Sequence, residues 1–209
     1  MPKSVLDDDY SYGKNNKHYV HTGLSLFTGV SATELPNLQF RAQNSTAFYF
    51  FVLYKRKLNN IFSFTSELNI GSSWIQYRFT GDSPQYPTIF STHVRDVLTI
   101  GELEVHQNIR FRVSGGPNRI GNYVEVGVLG GVATSRRYTH KGTSLNNQRT
   151  ELSIIHDPVI LTDGNRYGLD LFYYGFKGRL GFERISIPVR YVINGDFWWV
   201  MAGVEIGLF

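Results

Sequence analysis

The 209 residues carry 21 Lys and Arg against 17 Asp and Glu, a net charge of +4, with 42% hydrophobic residues, 18% charged residues and no cysteine. That length suits one domain, the scattered basic residues form no nucleic-acid motif, and disulfides and thiolate metal sites are excluded. No run approaches the ~18 uncharged apolar residues of a membrane helix, so a chain this apolar must carry its hydrophobicity in an alternating pattern.

Residues 1–17 are polar and unpatterned and are expected to form a disordered tail, with a single domain over 18–209. The tail has no apolar core of signal-peptide length, so any export of the chain would imply a leader removed beforehand. The first strand is predicted from about Tyr19 to Val30, with Val20, Leu24 and Leu26 on one face and His21, Gly23 and Ser25 on the other. A connection containing Pro36 leads to a second strand, about Thr46 to Lys57, which is aromatic on both faces, and then to a turn at Leu58-Asn59-Asn60. The third strand, about Ile61 to Phe79, sets Phe62, Phe64, Leu68, Ile70 and Trp74 against Ser63, Thr65, Glu67, Asn69 and Ser73. Residues 81–96, with Pro84 and Pro87, read as a long loop.

The central pair of strands carries the strongest signal. From Leu98 to Val113, apolar Leu103, Val105, Ile109, Phe111 and Val113 alternate with polar Glu102, Glu104, His106, Asn108, Arg110 and Arg112. From Ile120 to Arg137, Val124, Val126, Val128, Gly130 and Val132 alternate with Glu125, Gly127, Gly131, Ala133 and Ser135. The period is two, and the runs are roughly 14–18 residues, against about 5–6 for an ordinary soluble strand. Long strands with one apolar and one charged face suit a tilted crossing of lipid around a polar interior. A soluble, lipocalin-like barrel is the alternative, with the apolar face turned inward.

Residues 138–165 read as the longest connection, about 28 residues and beyond ordinary loop length. A strand from Tyr167 to Phe182 places Phe172, Tyr174, Phe176, Leu180 and Phe182 opposite Gly175, Lys177, Arg179 and Gly181. A tight turn at Glu183-Arg184 leads to Ile185, Ile187, Val189, Tyr191 and Ile193, with Pro188 expected to mark a bulge and Arg190 on the opposite face. Asn194-Gly195 is a hairpin signal, and the last strand, Phe197 to Phe209, turns Trp198, Val200, Val204 and Ile206 outward and Glu205 inward.

The fold expected is therefore all-β: an eight-stranded antiparallel up-and-down transmembrane β-barrel in a bacterial outer membrane, with long loops outside and both termini periplasmic. Aromatic girdles are expected from Trp74, Trp198 and Trp199 at the outer end and from Tyr54, Phe62, Phe111 and Phe182 at the inner.

The run Leu103-Glu104-Val105 to Arg112-Val113, its turn, and Tyr123-Val124-Glu125-Val126-Gly127-Val128-Leu129-Gly130-Gly131 resemble the central hairpin of PorT-like outer-membrane β-barrels of Bacteroidota. The glycine-rich Gly175 to Glu183 and the pair Arg190-Tyr191 are similar to that family's later strands. The resemblance spans roughly Tyr19 to Phe209 and implies barrel and location; its named member belongs to type IX secretion. Phe209 departs from the usual terminal aromatic by sharing the parity of Glu205 and Gly207.

If the parities hold, the lumen contains Glu67, Glu102, Glu104, Glu125, Glu183 and Glu205 with Arg110, Arg112, Lys177, Arg179 and Arg190, and with His21 and His106. An eight-stranded barrel has room for side chains alone, so these are expected to form an ion-pair network that closes the lumen, with a proton or ion path along them as the alternative. For catalysis, His93 near Ser91, His140 near Ser144, and His156-Asp157 all read as solvated loop residues lacking a spaced acid partner, so no catalytic residue, metal ligand or cofactor is expected. Arg136, Arg137, Lys141 and Arg149, with His140, form a basic outer cluster that could contact lipopolysaccharide phosphates. The function expected is a non-enzymatic accessory or scaffold component of a cell-envelope assembly, secretion-related by the resemblance. Its partners would be outer-membrane lipid, lipopolysaccharide and other envelope proteins, and no nucleic acid. An outer-leaflet lipid-modifying enzyme is the alternative of a different class.

Overall fold

A computed structural model describes residues 17–36, 38–80, 90–114, 121–144, 146, 148–155, 159–162 and 165–208. The strands are β1 His18–Ala32, β2 Leu38–Phe40, β3 Thr46–Lys57, β4 Phe62–Phe79, β5 Phe90–Ser114 and β6 Asn122–Ser144. They continue with β7 Arg149–Ile155, β8 Val159–Thr162, β9 Asn165–Gly168, β10 Phe172–Phe182, β11 Ile185–Asn194 and β12 Phe197–Gly207. Among the described residues all strand pairings are antiparallel. β1 pairs β3, and pairing then runs β3–β4–β5–β6–β10–β11–β12 and returns from β12 to β1, so the sheet closes on itself. Closure removes the open edges that a sheet of these lengths would otherwise expose.

The period-two patterns decide which face is inside. On β4, Phe64, Leu68 and Ile70 point out while Thr65, Glu67 and Asn69 point in; on β5, Leu103, Val105 and Ile109 point out and Glu104, His106 and Asn108 point in. On β3, whose faces the sequence leaves equivalent, Phe48, Phe50 and Tyr54 are outside and Tyr49, Phe51, Leu53 and Lys55 inside.

The interior has two layers. Toward the tight turns at residues 58–60 and 183–184 it is charged. Toward the long connections it is apolar and aromatic, with Phe27, Tyr49, Leu98, Ile100, Tyr138, Tyr173, Trp199 and Met201 in one cluster. This second layer was not expected. On β5 it reverses the sense of the alternation, with Leu98 and Ile100 inside and Arg95 exposed, so the pattern read from the charged half gives no sign of it.

Several expected boundaries move. β5 begins at Phe90, inside the predicted 81–96 loop, and β6 runs on to Ser144. The predicted 138–165 connection is largely strand: the end of β6, then β7 paired to it, then the β8–β9 hairpin. β6 thus pairs with β10 along its lower part and with β7 along its upper part. Pro188 does not make a bulge: β11 keeps one register with β10 through it, and the β11–β12 ladder only lapses at residues 187–188, where the proline has no N–H to give. The register shifts lie elsewhere, at Gly29/Ser31 on β1 and at Gly101/Glu102, where Thr134 is the extra residue on β6. After Thr134 the inward parity of β6 changes from odd to even, bringing Tyr138 and His140 inside. The two-residue turn after β11 is Gly195-Asp196, with Gly195 at φ 60, rather than Asn194-Gly195. Glu183, expected in the lumen, is exposed in its turn at φ 57. The tail before residue 17 and Phe209 lie outside the described residues.

Glycine spacing makes room for the aromatic interior. Tyr173 stands directly across from Gly131, and its ring lies where a Cβ at 131 would sit. The Tyr173 hydroxyl also donates to Glu104 Oε1 at 2.9 Å, so the ring cannot swing aside without losing that bond. Gly131→Ala is expected to destabilise the refolded protein by about 1–3 kcal/mol through overpacking, read as a lower denaturant midpoint in a refolding titration.

Candidate functional site

The charged layer is one connected network. Arg110 Nε donates to Glu125 Oε2 at 2.7 Å, and Arg179 Nη1 donates to Glu125 Oε1 at 3.1 Å. Arg179 also bonds Glu67 through Nη2 and places Nε 2.5 Å from Glu205 Oε2. Lys177 Nζ donates to Glu67 Oε1 and Glu205 Oε1, each at 2.7 Å. His106 links this group to the next, with Nδ1 3.4 Å from Glu67 and Nε2 2.9 Å from Glu104. Arg190 completes the chain, donating to Glu104 at 2.5 and 3.3 Å and approaching Glu102 at 3.7 Å.

Each of these side chains is buried, so each charge has exchanged water for its partners, a trade that holds only when hydrogen bonds replace hydration. Five carboxylates, Glu67, Glu102, Glu104, Glu125 and Glu205, face four permanent cations and His106. Neutral groups take up remaining lone pairs: Thr65 donates to Glu125, Ser25 and Ser186 donate to Glu205, and Tyr49 and Ser73 donate to Glu102. Two arginines also lie against aromatic faces, Arg110 at 3.8 Å from the Tyr123 ring centroid and Arg190 at 4.8 Å from that of Tyr49. Arg190 therefore joins the charged layer to the apolar one above it.

The network contains the expected lumen residues with three exceptions: Glu183, exposed in its turn, His21, whose ring packs against Tyr19 and Phe51, and Arg112. Arg112 is half-buried near the end of β5, next to the register shift at Arg112/Ser114, and none of the five carboxylates takes it. The expected outer girdle also needs correction. Trp74 is 38% exposed and Trp198 half-buried, but Trp199 is 1% exposed and inside, because successive strand residues face opposite ways.

His140, expected in a solvated loop without an acid partner, lies buried on β6 with Nδ1 2.7 Å from Asp96 Oδ1 across the β5–β6 ladder. Tyr138 packs edge-on against its ring at 4.6 Å. The lengthening of β5 and β6 brings this pair together, which sequence spacing did not reveal. Ser91 and His93 belong to β5, and His156 and Asp157 lie outside the described residues.

The expected basic cluster divides. Arg136 Nη1 donates to Leu169 O at 2.6 Å, tying β6 to the segment before β10, and Arg137 is exposed on β6. Lys141 and Arg149 instead line a cleft of about 650 Å³ with Arg41, Arg78 and Arg95. Those last three were missed, because their proximity depends on the register of the β4–β5–β6 extension.

No protein-family model matches the chain, and no curated protein matches it. Among solved structures it is similar to two of Ail, the attachment invasion locus protein of Yersinia pestis, one of them in complex with the heparin analogue sucrose octasulfate. Each shares 12% identity and a TM-score of 0.37, covering 91% of this chain and 96% or 97% of the other.

The network's energetics can be measured directly. Glu125→Gln removes a charge that two buried arginines require and is expected to cost about 3–5 kcal/mol. Glu151→Gln breaks only the exposed Lys141–Glu151 pair at 2.6 Å and should cost about 0–1 kcal/mol. Equilibrium denaturation of both variants against the parent protein checks the contrast.

Proposed function

We propose that the closed sheet is an eight-stranded transmembrane β-barrel of a bacterial outer membrane, with both termini periplasmic. We further propose that it acts as a non-enzymatic accessory or scaffold component of a cell-envelope assembly. The observation that carries this reading is the inverted placement of side chains. Glu67, Glu102, Glu104, Lys177, Arg179 and Arg190 are each at most 4% exposed, while Leu26, Ile70, Val105, Val126, Phe176 and Ile187 are 47–61% exposed. A soluble barrel of lipocalin type has the opposite distribution, and in water this apolar belt would far exceed the few hundred Å² that a soluble monomer usually exposes as one patch.

The belt has the dimensions of a bilayer. Phe62 to Trp74 on β4 spans about 40 Å along the strand, which at a tilt near 45° is roughly 28 Å of height. That is close to the ~30 Å hydrocarbon core. Lipid is thus the partner of the outer face.

The filled interior supports the accessory role. Two layers of packed side chains leave little for a lumen to do, so function falls to the outer surfaces and to the β5–β6–β7 extension that rises beyond the ring.

Detergent dependence and gel mobility test the membrane reading. The folded protein is expected to need detergent, to migrate faster unheated than boiled, and to show no steady conductance in planar bilayers. A protein that is monodisperse in buffer without detergent would contradict it.

A further inference from the structure

The cleft on the outside of the extension is built as a row of cations across neighbouring strands. Arg95 on β5 is the direct cross-strand partner of Lys141 on β6, and Lys141 is the partner of Glu151 on β7. Arg78 lies one residue beyond the Tyr77–Asp96 pair, on the rung that carries Arg95. Arg149, opposite Thr143, lies on the next alternate rung of the same face. The corner is completed by Arg41, whose backbone N–H donates to Gln76 O at 2.8 Å. Among the described residues, five cations therefore line one cleft with a single carboxylate, Glu151, which is already held by Lys141 at 2.6 Å. Among the described residues, no carboxylate pairs with Arg41, Arg78, Arg95 or Arg149.

Like charges placed directly opposite in a sheet repel, and Arg95 beside Lys141 adds to the cost of ordering four long arginine side chains around one space. Such an arrangement is stabilised by a ligand that supplies several negative charges at once. The face on which it lies restricts what that ligand can be. Arg78 has the outward parity of Trp74 and stands four residues farther along β4, about 13 Å along the strand. With Trp74 at the membrane interface, the row sits at headgroup height and faces sideways along the membrane. Guanidinium groups match phosphate oxygens in paired hydrogen bonds.

We propose that this cleft, formed by Arg41, Arg78, Arg95, Lys141 and Arg149, is a binding site for the phosphorylated glucosamine headgroup of a neighbouring lipopolysaccharide molecule. The proposal rests on the outer-membrane reading above, which supplies the lipid. The site differs from the basic cluster expected from sequence in excluding Arg136 and Arg137.

The test uses the refolded full-length chain, the double variant Arg78→Ala/Arg95→Ala, and Arg137→Ala as a basic residue outside the cleft. Each is first scored for heat-modifiable mobility and then titrated by native mass spectrometry with lipid A, with dephosphorylated lipid A and with inositol hexakisphosphate. Lipid A is expected to bind the parent and Arg137→Ala alike, and the double variant at least tenfold more weakly. Dephosphorylated lipid A should bind the parent no better than lipid A binds the double variant. Equal lipid A binding by parent and double variant, or indifference of the parent to dephosphorylation, would overturn the site while leaving the membrane reading intact. Inositol hexakisphosphate binding as tightly as lipid A, with the same loss in the double variant, would overturn the lipid as ligand in favour of a soluble polyanion. A chain monodisperse without detergent would end the membrane reading, and this proposal with it.

Discussion

Everything inside the closed sheet depends on one constraint: a charge removed from water must meet its opposite. Glu67 shows how strictly the chain satisfies it, with Lys177 and Arg179 reaching it from β10 and His106 alongside it from β5. Once those pairs are made, the strands that supply them cannot slip. A one-residue change of register would carry Glu104 or Arg190 to the outer face and bring leucine, isoleucine and valine into a space shaped for ions. The network thus contributes to the uniqueness of the register as well as to stability.

The apolar layer above it has a different task. Tyr49, Tyr173 and Arg190 form the contact between the two: the tyrosines direct their hydroxyls down to Glu102 and Glu104, and Arg190 lies over the Tyr49 ring. Trp199, Phe197 and Tyr138 then fill the end nearest the long connections. Asp96 and His140 pair with each other beside Tyr138 at that end, and the interior is packed along its height. On the outer surface of the extension the balance differs: among the described residues Lys141 pairs with Glu151, while no carboxylate pairs with Arg41, Arg78, Arg95 or Arg149.

How much of this was legible in the sequence varies along the strands. The lower half was readable because Glu104, His106, Asn108 and Arg110 alternate with Leu103, Val105 and Ile109, which gives inside and outside together. The upper half was not, since Leu98, Ile100 and Tyr138 are apolar and inside while Arg95 and Arg137 are exposed, so the sense of the alternation reverses. The extra residue Thr134 then changes parity without leaving any compositional mark. Partner choice was equally hidden: Lys177 meets Glu67 across the lumen, 110 residues away in sequence, and Arg110 enters the network whereas Arg112, of the same parity, lies beside a register shift. The cationic row followed the same logic. Arg78, Arg95 and Lys141 are unremarkable singly and become a site only through the pairing of three strands.

The central claim is the inverted placement of faces, and the absence of cysteine from the chain makes it directly measurable. Single cysteines at Phe64, Leu68 and Ile70, and at Ser63, Thr65 and Asn69, can each carry a small fluorophore in protein refolded into lipid bilayers. Brominated lipid should quench the first three and leave the second three unaffected, a period of two along β4. Quenching of Ser63, Thr65 and Asn69 instead, or equal quenching at all six, would contradict the account.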